Sequence, residues 1–96
     1  MLVALCSDKG SPGTTITALA LASAWPEPAV VVEADAYGGD LAIRLRTQAG
    51  DALPEAPTVL TLATAARTAR DSDVVTRYTQ RINDQVAVVP GHLLAE

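Results

Sequence analysis

The chain has 96 residues, of which 49% are hydrophobic and 19% are charged, and its net charge is −4. This composition is typical of one small globular domain and excludes a disordered chain. A protein that binds nucleic acid by neutralising its phosphates is normally basic, so DNA is not an expected partner of this chain alone.

Cysteine content and hydropathy indicate the cellular compartment in which the protein is expected. The single cysteine, Cys6, excludes an internal disulfide framework and suits a reducing environment, where we expect it to fill the core. No apolar run reaches the roughly 18 residues of a membrane span. The first residues also lack the basic and long apolar regions of a secretory signal. We therefore expect a cytoplasmic protein without a membrane span.

Three short apolar runs, at residues 2–6, 29–32 and 86–89, are continuous rather than alternating. Such runs are typical of parallel strands covered on both faces. Between the first two, residues 14–24 have the apolar pattern of a helix, which ends at Trp25-Pro26. The pattern therefore predicts a βαβ unit with a crossover helix.

The middle of the chain predicts further helices between the second and third strands. Residues 41–45 form a short amphipathic segment, and the glycine and prolines of residues 47–57 indicate a loop. Residues 58–70 predict a helix with Leu60 and Leu62 directed inward. A further helix is predicted over residues 74–82, with an N-cap supplied by the segment Asp71, Ser72 and Asp73.

The loop between the first run and the first helix is rich in glycine and hydroxyl groups. It reads Ser7, Asp8, Lys9, Gly10, Ser11, Pro12, Gly13, Thr14 and Thr15. In a strand-turn-helix arrangement, backbone N–H groups and the positive end of the helix dipole form an anion site. Gly10 and Gly13 permit positive φ and a close approach of the backbone to a phosphate. An ordinary turn that binds nothing remains the alternative.

This loop resembles the deviant Walker A motif of MinD/ParA P-loop ATPases, Lys-Gly-Gly-x-Gly-Lys-Ser/Thr. The resemblance implies that Lys9 contacts the nucleotide of a dimer partner and that Thr15 binds Mg²⁺. It also implies that ATP phosphates lie against the loop residues Gly10, Ser11, Pro12, Gly13, Thr14 and Thr15. The usual P-loop lysine is replaced by Thr14, which removes a charge-assisted contact worth about 1.5–3 kcal/mol. ATPase activity of this chain is therefore an open question.

A second motif follows the second apolar run, where Val30-Val31-Val32 leads into Glu33-Ala34-Asp35 and a glycine-containing turn. In the family that the motif resembles, the aspartate orients the attacking water. The resemblance assigns this role, together with a place at the metal, to Asp35. A carboxylate at this end of a parallel strand also lies where open α/β sheets place their ligands. A turn-forming or helix-capping aspartate is the alternative for Asp35.

The resemblance implies an α/β, P-loop NTPase-like three-layer fold with a parallel sheet in the strand order 3-2-4-1-5. This sequence ends after the third strand, so the Walker B strand and the adenine-binding segments are absent. We therefore expect residues 1–96 to be the N-terminal part of a single MinD/ParA-like domain. Without the fourth strand, the first and second strands lack the neighbour that would join them.

The expected function is that of a degenerate ATP- and Mg²⁺-binding domain that helps to position or partition cellular machinery, as a homodimer and with an unknown protein partner. One alternative is a non-hydrolysing, dimerising adaptor that localises a pilus or secretion apparatus. Another is an inactive fragment of a longer ATPase. A basic face is a further alternative, but acidic residues lie among its members, Arg67, Arg70, Arg77 and Arg81, which favours a mixed-charge surface.

Overall fold

The computed structural model describes residues 2–6, 13–34, 41, 45–69, 71 and 73–91 as an α/β arrangement. Its helices are α1 (Thr14–Ala24), α2 (Val59–Ala66) and α3 (Val74–Arg77), and its strands are β1 (Ala29–Val32), β2 (Gln80–Arg81) and β3 (Val86–Val89). The bounds of α1, β1 and β3 match those predicted from the sequence.

The described sheet is mixed, with the strand order β1-β3-β2. β1 runs parallel to β3, with Ala29 opposite Val86 and Val32 opposite Val89. β2 runs antiparallel to β3, with Gln80 opposite Val88. The prediction of a wholly parallel sheet is therefore wrong, because β2 pairs with β3 as the first arm of a hairpin.

A tight turn between β2 and β3 explains this hairpin. The Asn83 Oδ1 atom accepts hydrogen bonds from the backbone N–H groups of Gln85 and Val86, both at 2.8 Å. The backbone N–H of Ile82 also donates to the carbonyl of Val86 at 3.0 Å. Asparagine favours turns because its side chain bonds to nearby backbone. The helix predicted over residues 74–82 therefore ends at Arg77, and its last residues belong to the hairpin instead.

The prediction of a first strand at residues 2–6 is also wrong, because these residues form no strand and are exposed. Leu2 is 93% exposed, and the Cys6 thiol is exposed rather than buried in the core. A strand needs a hydrogen-bonded neighbour as well as apolar side chains, and no described strand pairs with this segment. The predicted βαβ unit is therefore not formed. The parallel pair is instead β1 and β3.

α2 is shorter than the helix predicted over residues 58–70. Thr58 is its N-cap: the Thr58 hydroxyl accepts from the N–H of Leu60 at 3.2 Å, and the Thr61 hydroxyl accepts from the N–H of Thr58 at 3.2 Å. This reciprocal pair is a capping box. Leu62 is buried as predicted, but Leu60 is 53% exposed because the described chain does not cover that face of α2.

The core lies on the face of the sheet that α1 covers. Ala29 and Val31 of β1 and Leu19 of α1 pack at its border. Its buried members are Ala22, Leu41, Leu53, Val86 and Val88. Val89 of β3 and Leu62 of α2 are buried as well but lie outside this cluster. Because side chains alternate along a strand, Val89 faces the side of the sheet opposite to Val88.

Candidate functional site

The start of α1 is the described part of the predicted phosphate loop. α1 begins at Thr14 immediately after Gly13, whose φ is 104° and which provides no side-chain cap. Gly13 therefore has the positive φ that the sequence predicts for it, a conformation that residues with side chains disfavour. Apart from its neighbours along the chain, no heavy atom of the described residues lies within 4 Å of the position that a Cβ at residue 13 would take. Among the described residues, none fills the space beside Gly13 at the start of α1.

The side chain of Gln85 defines the direction of α1 relative to the sheet. Its Nε2 atom donates to three carbonyls at the end of α1 and the following turn: Ala22 at 3.1 Å, Trp25 at 2.8 Å and Glu27 at 2.7 Å. Gln85 immediately precedes β3, so the C-terminal end of α1 lies at the amino edge of the sheet. Because α1 packs along β1, its N-terminal turn is directed toward the carboxyl edge, where α/β folds bind ligands.

Glu33 connects the carboxyl ends of the two parallel strands. Its backbone N–H donates to the carbonyl of Val89 at 3.0 Å. Its Oε1 atom accepts from the N–H of Gly91 at 2.9 Å and, more weakly, from the N–H of Leu41 at 3.4 Å. The half-buried carboxylate therefore holds the end of β1 against the segment that follows β3.

Sequence reasoning gave Glu33 only a position in a motif and missed these contacts. Gly91 lies 58 residues away in the chain, so no local pattern marks the pair. The signal that could have indicated it is an acidic residue at the end of one apolar strand and a glycine beyond the end of another.

Several predicted site residues lie outside the part of the chain that the structure describes: Lys9, Gly10, Ser11, Pro12 and Asp35. The structure therefore places Gly13, Thr14 and Thr15 at the start of α1. Among the described residues, no group of three or more histidine, cysteine, aspartate or glutamate side chains could hold a metal ion.

The described loop residues fit a phosphate in part. The start of α1, where Gly13 provides no side-chain cap, has backbone N–H groups of the kind that bind anions. Thr14 and Thr15 are half-buried and contribute hydroxyl groups. Thr15 has the oxygen that a Mg²⁺ ligand requires. Thr14 brings no positive charge, so these residues would bind an anion through dipoles alone.

Two arginines of the predicted mixed-charge surface, Arg77 and Arg81, lie beside carboxylates. Arg77 contacts Asp71 at 3.1 Å, and this hydrogen bond, together with the charge of Asp71, raises the pKa of Arg77. Arg81 contacts Asp84 at 2.9 Å. Both pairs are exposed to solvent and contribute little to stability. They favour the mixed-charge alternative over a basic binding face.

Two surface depressions lie away from the predicted site. One, of about 440 Å³, is an open hollow on α2 lined by Leu60, Thr61, Thr64, Ala65 and Tyr78. The other, of about 260 Å³, lies between β2 and the loop that precedes α2. Gly13, Thr15 and Glu33 line neither depression.

No helix within the described ranges is long and apolar enough to cross a bilayer. The longest described helix, α1, has 11 residues. A membrane-spanning helix needs about 20 apolar residues.

Comparison with known proteins yields no relative. No protein-family model matches the chain, and neither a curated protein nor a solved structure matches it. The family resemblance therefore depends on the motifs at residues 9–15 and 30–40 of the sequence.

Proposed function

We propose that this chain is a degenerate MinD/ParA-like nucleotide-binding domain of the cytoplasm that helps to position or partition cellular machinery. In this proposal, residues 10–14 hold the phosphates of ATP, and Thr15 and Asp35 hold Mg²⁺. Asp35 orients the attacking water, and Lys9 reaches the nucleotide of a second copy. The observation that carries the proposal is the start of α1, where Gly13 at positive φ precedes a helix end without a side-chain cap.

The arrangement of the sheet supports the same proposal. β1 and β3 are parallel neighbours, as are the second and third strands of the three-layer P-loop fold that we propose. Glu33 lies at their carboxyl edge, two residues before Asp35 in the sequence. The direction of α1 brings Gly13 toward that same edge.

A second candidate is a non-hydrolysing, dimerising adaptor for a pilus or secretion apparatus. Thr14 favours it, because a hydroxyl cannot replace the fixed charge that the P-loop lysine supplies to the β- and γ-phosphates. Loss of one charge-assisted hydrogen bond of about 1.5–3 kcal/mol weakens binding roughly ten- to a hundredfold.

Calorimetric titration of the full 96-residue chain with millimolar ATP and Mg²⁺ tests both candidates. We expect weak binding by the unaltered chain and binding roughly ten- to a hundredfold tighter by a Thr14→Lys variant. A Thr64→Lys variant is the matched control, because it adds the same charge at an exposed position on α2. It should bind ATP as the unaltered chain does.

The outcomes separate the candidates. No binding by the unaltered chain, with binding restored by Thr14→Lys, favours the adaptor. No binding by either protein rejects the phosphate loop itself. Equal improvement by Thr14→Lys and Thr64→Lys shows only a general effect of charge and contradicts a specific site.

A further inference from the structure

The carboxylate of Glu33 joins three segments at the carboxyl edge of the sheet. Glu33 itself follows β1, and its Oε1 atom accepts from the N–H of Gly91, which follows β3, at 2.9 Å. The same oxygen accepts from the N–H of Leu41 at 3.4 Å. One oxygen of a half-buried side chain therefore fixes the end of β1 relative to both of the other segments.

Both partners of this oxygen are anchored in the folded chain. Leu41 is completely buried in the core cluster, and its carbonyl accepts from the N–H of Leu45 at 2.9 Å. Gly91 is buried and follows Pro90, whose carbonyl accepts from the N–H of Val59 at the start of α2 at 2.7 Å. The carboxylate therefore connects the end of β1 with the core and with the start of α2.

The two ends of this connection lie on either side of Asp35 in the sequence. Asp35, to which the proposed function gives a place at Mg²⁺, is the second residue after Glu33 and the sixth before Leu41. A metal ligand must be held within about 0.5 Å of its productive position by the residues that support it. Fixing both flanking residues limits the positions that a side chain on the short segment between them can take.

We propose that Glu33 is a positioning residue for the Mg²⁺ side of the nucleotide site, an inference that rests on the proposed function. Glu33 acts through hydrogen bonds to backbone and not as a metal ligand, since its Oε1 atom already accepts from two N–H groups. Its carboxylate holds the segment that carries Asp35 at the carboxyl edge, toward which α1 directs Gly13.

Two conservative substitutions separate this role from an effect of charge. Both N–H groups bond to one oxygen, so the contact requires an acceptor at the correct distance but no negative charge. Glu33→Gln keeps a carbonyl oxygen at that distance. Glu33→Asp keeps the charge but is shorter by one methylene, so it loses the 2.9 Å contact with Gly91. Positioning therefore requires that the glutamine variant works better than the aspartate variant, and a role through charge requires the reverse.

Calorimetric titration of the full chain carrying Thr14→Lys, with ATP in the presence and absence of Mg²⁺, tests this role. The ratio of the two dissociation constants measures how much Mg²⁺ strengthens ATP binding. We expect Glu33→Ala and Glu33→Asp to reduce this Mg²⁺ effect about tenfold, as loss of a residue that orients a metal ligand does. Glu33→Gln should retain most of it. ATP affinity without Mg²⁺ should be the same in all variants, because the loop that holds the phosphates is unaltered.

Asn83→Ala is the matched control for a general loss of stability. Asn83 stabilises the turn that precedes β3, at the opposite edge of the sheet. Urea unfolding gives the stability of each variant. Asn83→Ala should leave the Mg²⁺ effect unchanged even where it destabilises the chain as much as Glu33→Ala does.

Failure of the positioning role and failure of the proposed function give different results. If the Thr14→Lys chain binds no ATP with or without Mg²⁺, the proposed function fails and the positioning role fails with it. If the chain binds ATP but Mg²⁺ has no effect, or Glu33→Ala preserves that effect, only the positioning role is overturned. A Mg²⁺ effect that Glu33→Asp keeps and Glu33→Gln loses also overturns it.

If circular dichroism shows that Glu33→Ala and Glu33→Asp are unfolded, amide exchange in the Thr14→Lys chain decides. Coupling between two sites is reciprocal, so Mg²⁺ added to the ATP complex should slow exchange at the N–H groups of Gly91 and Leu41. The N–H of Ile82, which donates within the β2–β3 hairpin, is the reference. Slower exchange at Gly91 and Leu41 but not at Ile82 supports the positioning role. An equal change at Ile82, or no change, overturns it.

Discussion

β3 and residues 2–6 have similar apolar compositions but opposite environments. β3 has hydrogen-bonded neighbours on both sides, and its Val88 is completely buried. Residues 2–6 have no described strand beside them and are exposed along their length. An apolar run therefore makes a segment suitable for burial, but the neighbouring strands and helices decide whether burial occurs.

The burial of β1 is intermediate between that of β3 and that of residues 2–6. β1 has one strand neighbour, β3, and its residues alternate between half-buried and exposed. Burial thus increases with the number of paired sides, from residues 2–6 through β1 to β3. Substitutions in β3 and in the residues just before it test what holds β3 in place. A substitution within residues 2–6 tests whether that segment contributes to stability.

The largest effect is expected from Val88→Asp at the centre of β3. Val88 is 0% exposed, so the substitution buries an unpaired carboxylate. The cost of several kcal/mol is comparable to the whole stability of a small domain, about 5 kcal/mol. We expect the cooperative transition to be lost in urea unfolding followed by circular dichroism. A transition at the unaltered midpoint would show that Val88 is not buried in solution.

Gln85→Ala tests the connection between β3 and the end of α1. The substitution removes an amide that donates to three carbonyls, and we expect a loss of about 2 kcal/mol in unfolding free energy. Gln85→Glu should cost more, because a carboxylate oxygen would face those carbonyls. Gln48→Ala, at an exposed loop position, is the control and should change stability by less than about 0.5 kcal/mol.

Asn83→Ala tests the turn that directs β2 back onto β3. It removes the acceptor of two backbone N–H groups, so we expect a loss of about 1 kcal/mol in the same urea experiment. Asn83→Asp keeps that acceptor and should be less destabilising. Asp84→Ala breaks only the exposed contact with Arg81 and should cost no more than about 0.5 kcal/mol. An Asp84→Ala effect as large as that of Asn83→Ala would contradict this assignment.

Leu5→Asp should have the smallest effect, although Leu5 lies within an apolar run like that of β3. Its side chain is exposed, so we expect a change within about 0.5 kcal/mol in unfolding free energy. A loss above about 2 kcal/mol would mean that residues 2–6 are buried in solution. Residues 2–6 and β3 would then no longer differ in burial.

Much of the fold could be predicted because its signals are local. Trp25 and Pro26 end α1, and Gly13 at positive φ precedes its first turn. The continuous valine-rich runs mark β1 and β3. β2 was missed because its residues continue a helical pattern, while the side chain of Asn83 and the adjacent β3 favour a hairpin.

In the candidate site, too, the sequence predicts the local features but not the contacts between distant residues. The glycine at residue 13 and the hydroxyl groups after it are visible as a motif in the sequence, and Gly13 has the positive φ that this motif predicts. The contact of Glu33 with Gly91 joins positions far apart in the chain, so only the paired strands bring them together. The assignments of Lys9 and Asp35 remain predictions and concern residues outside the described ranges.

The amino-acid order alone specifies where α1, β1 and β3 begin and end, because caps, prolines and side-chain propensities act within about one turn or strand. Tertiary structure decides which apolar run is buried, the mixed direction of the sheet and the partners of Glu33. Each of these depends on a neighbour that is distant in the chain. The local sequence does not indicate which distant segment will pack against it, so residues 2–6 can resemble β3 in composition and still lie exposed.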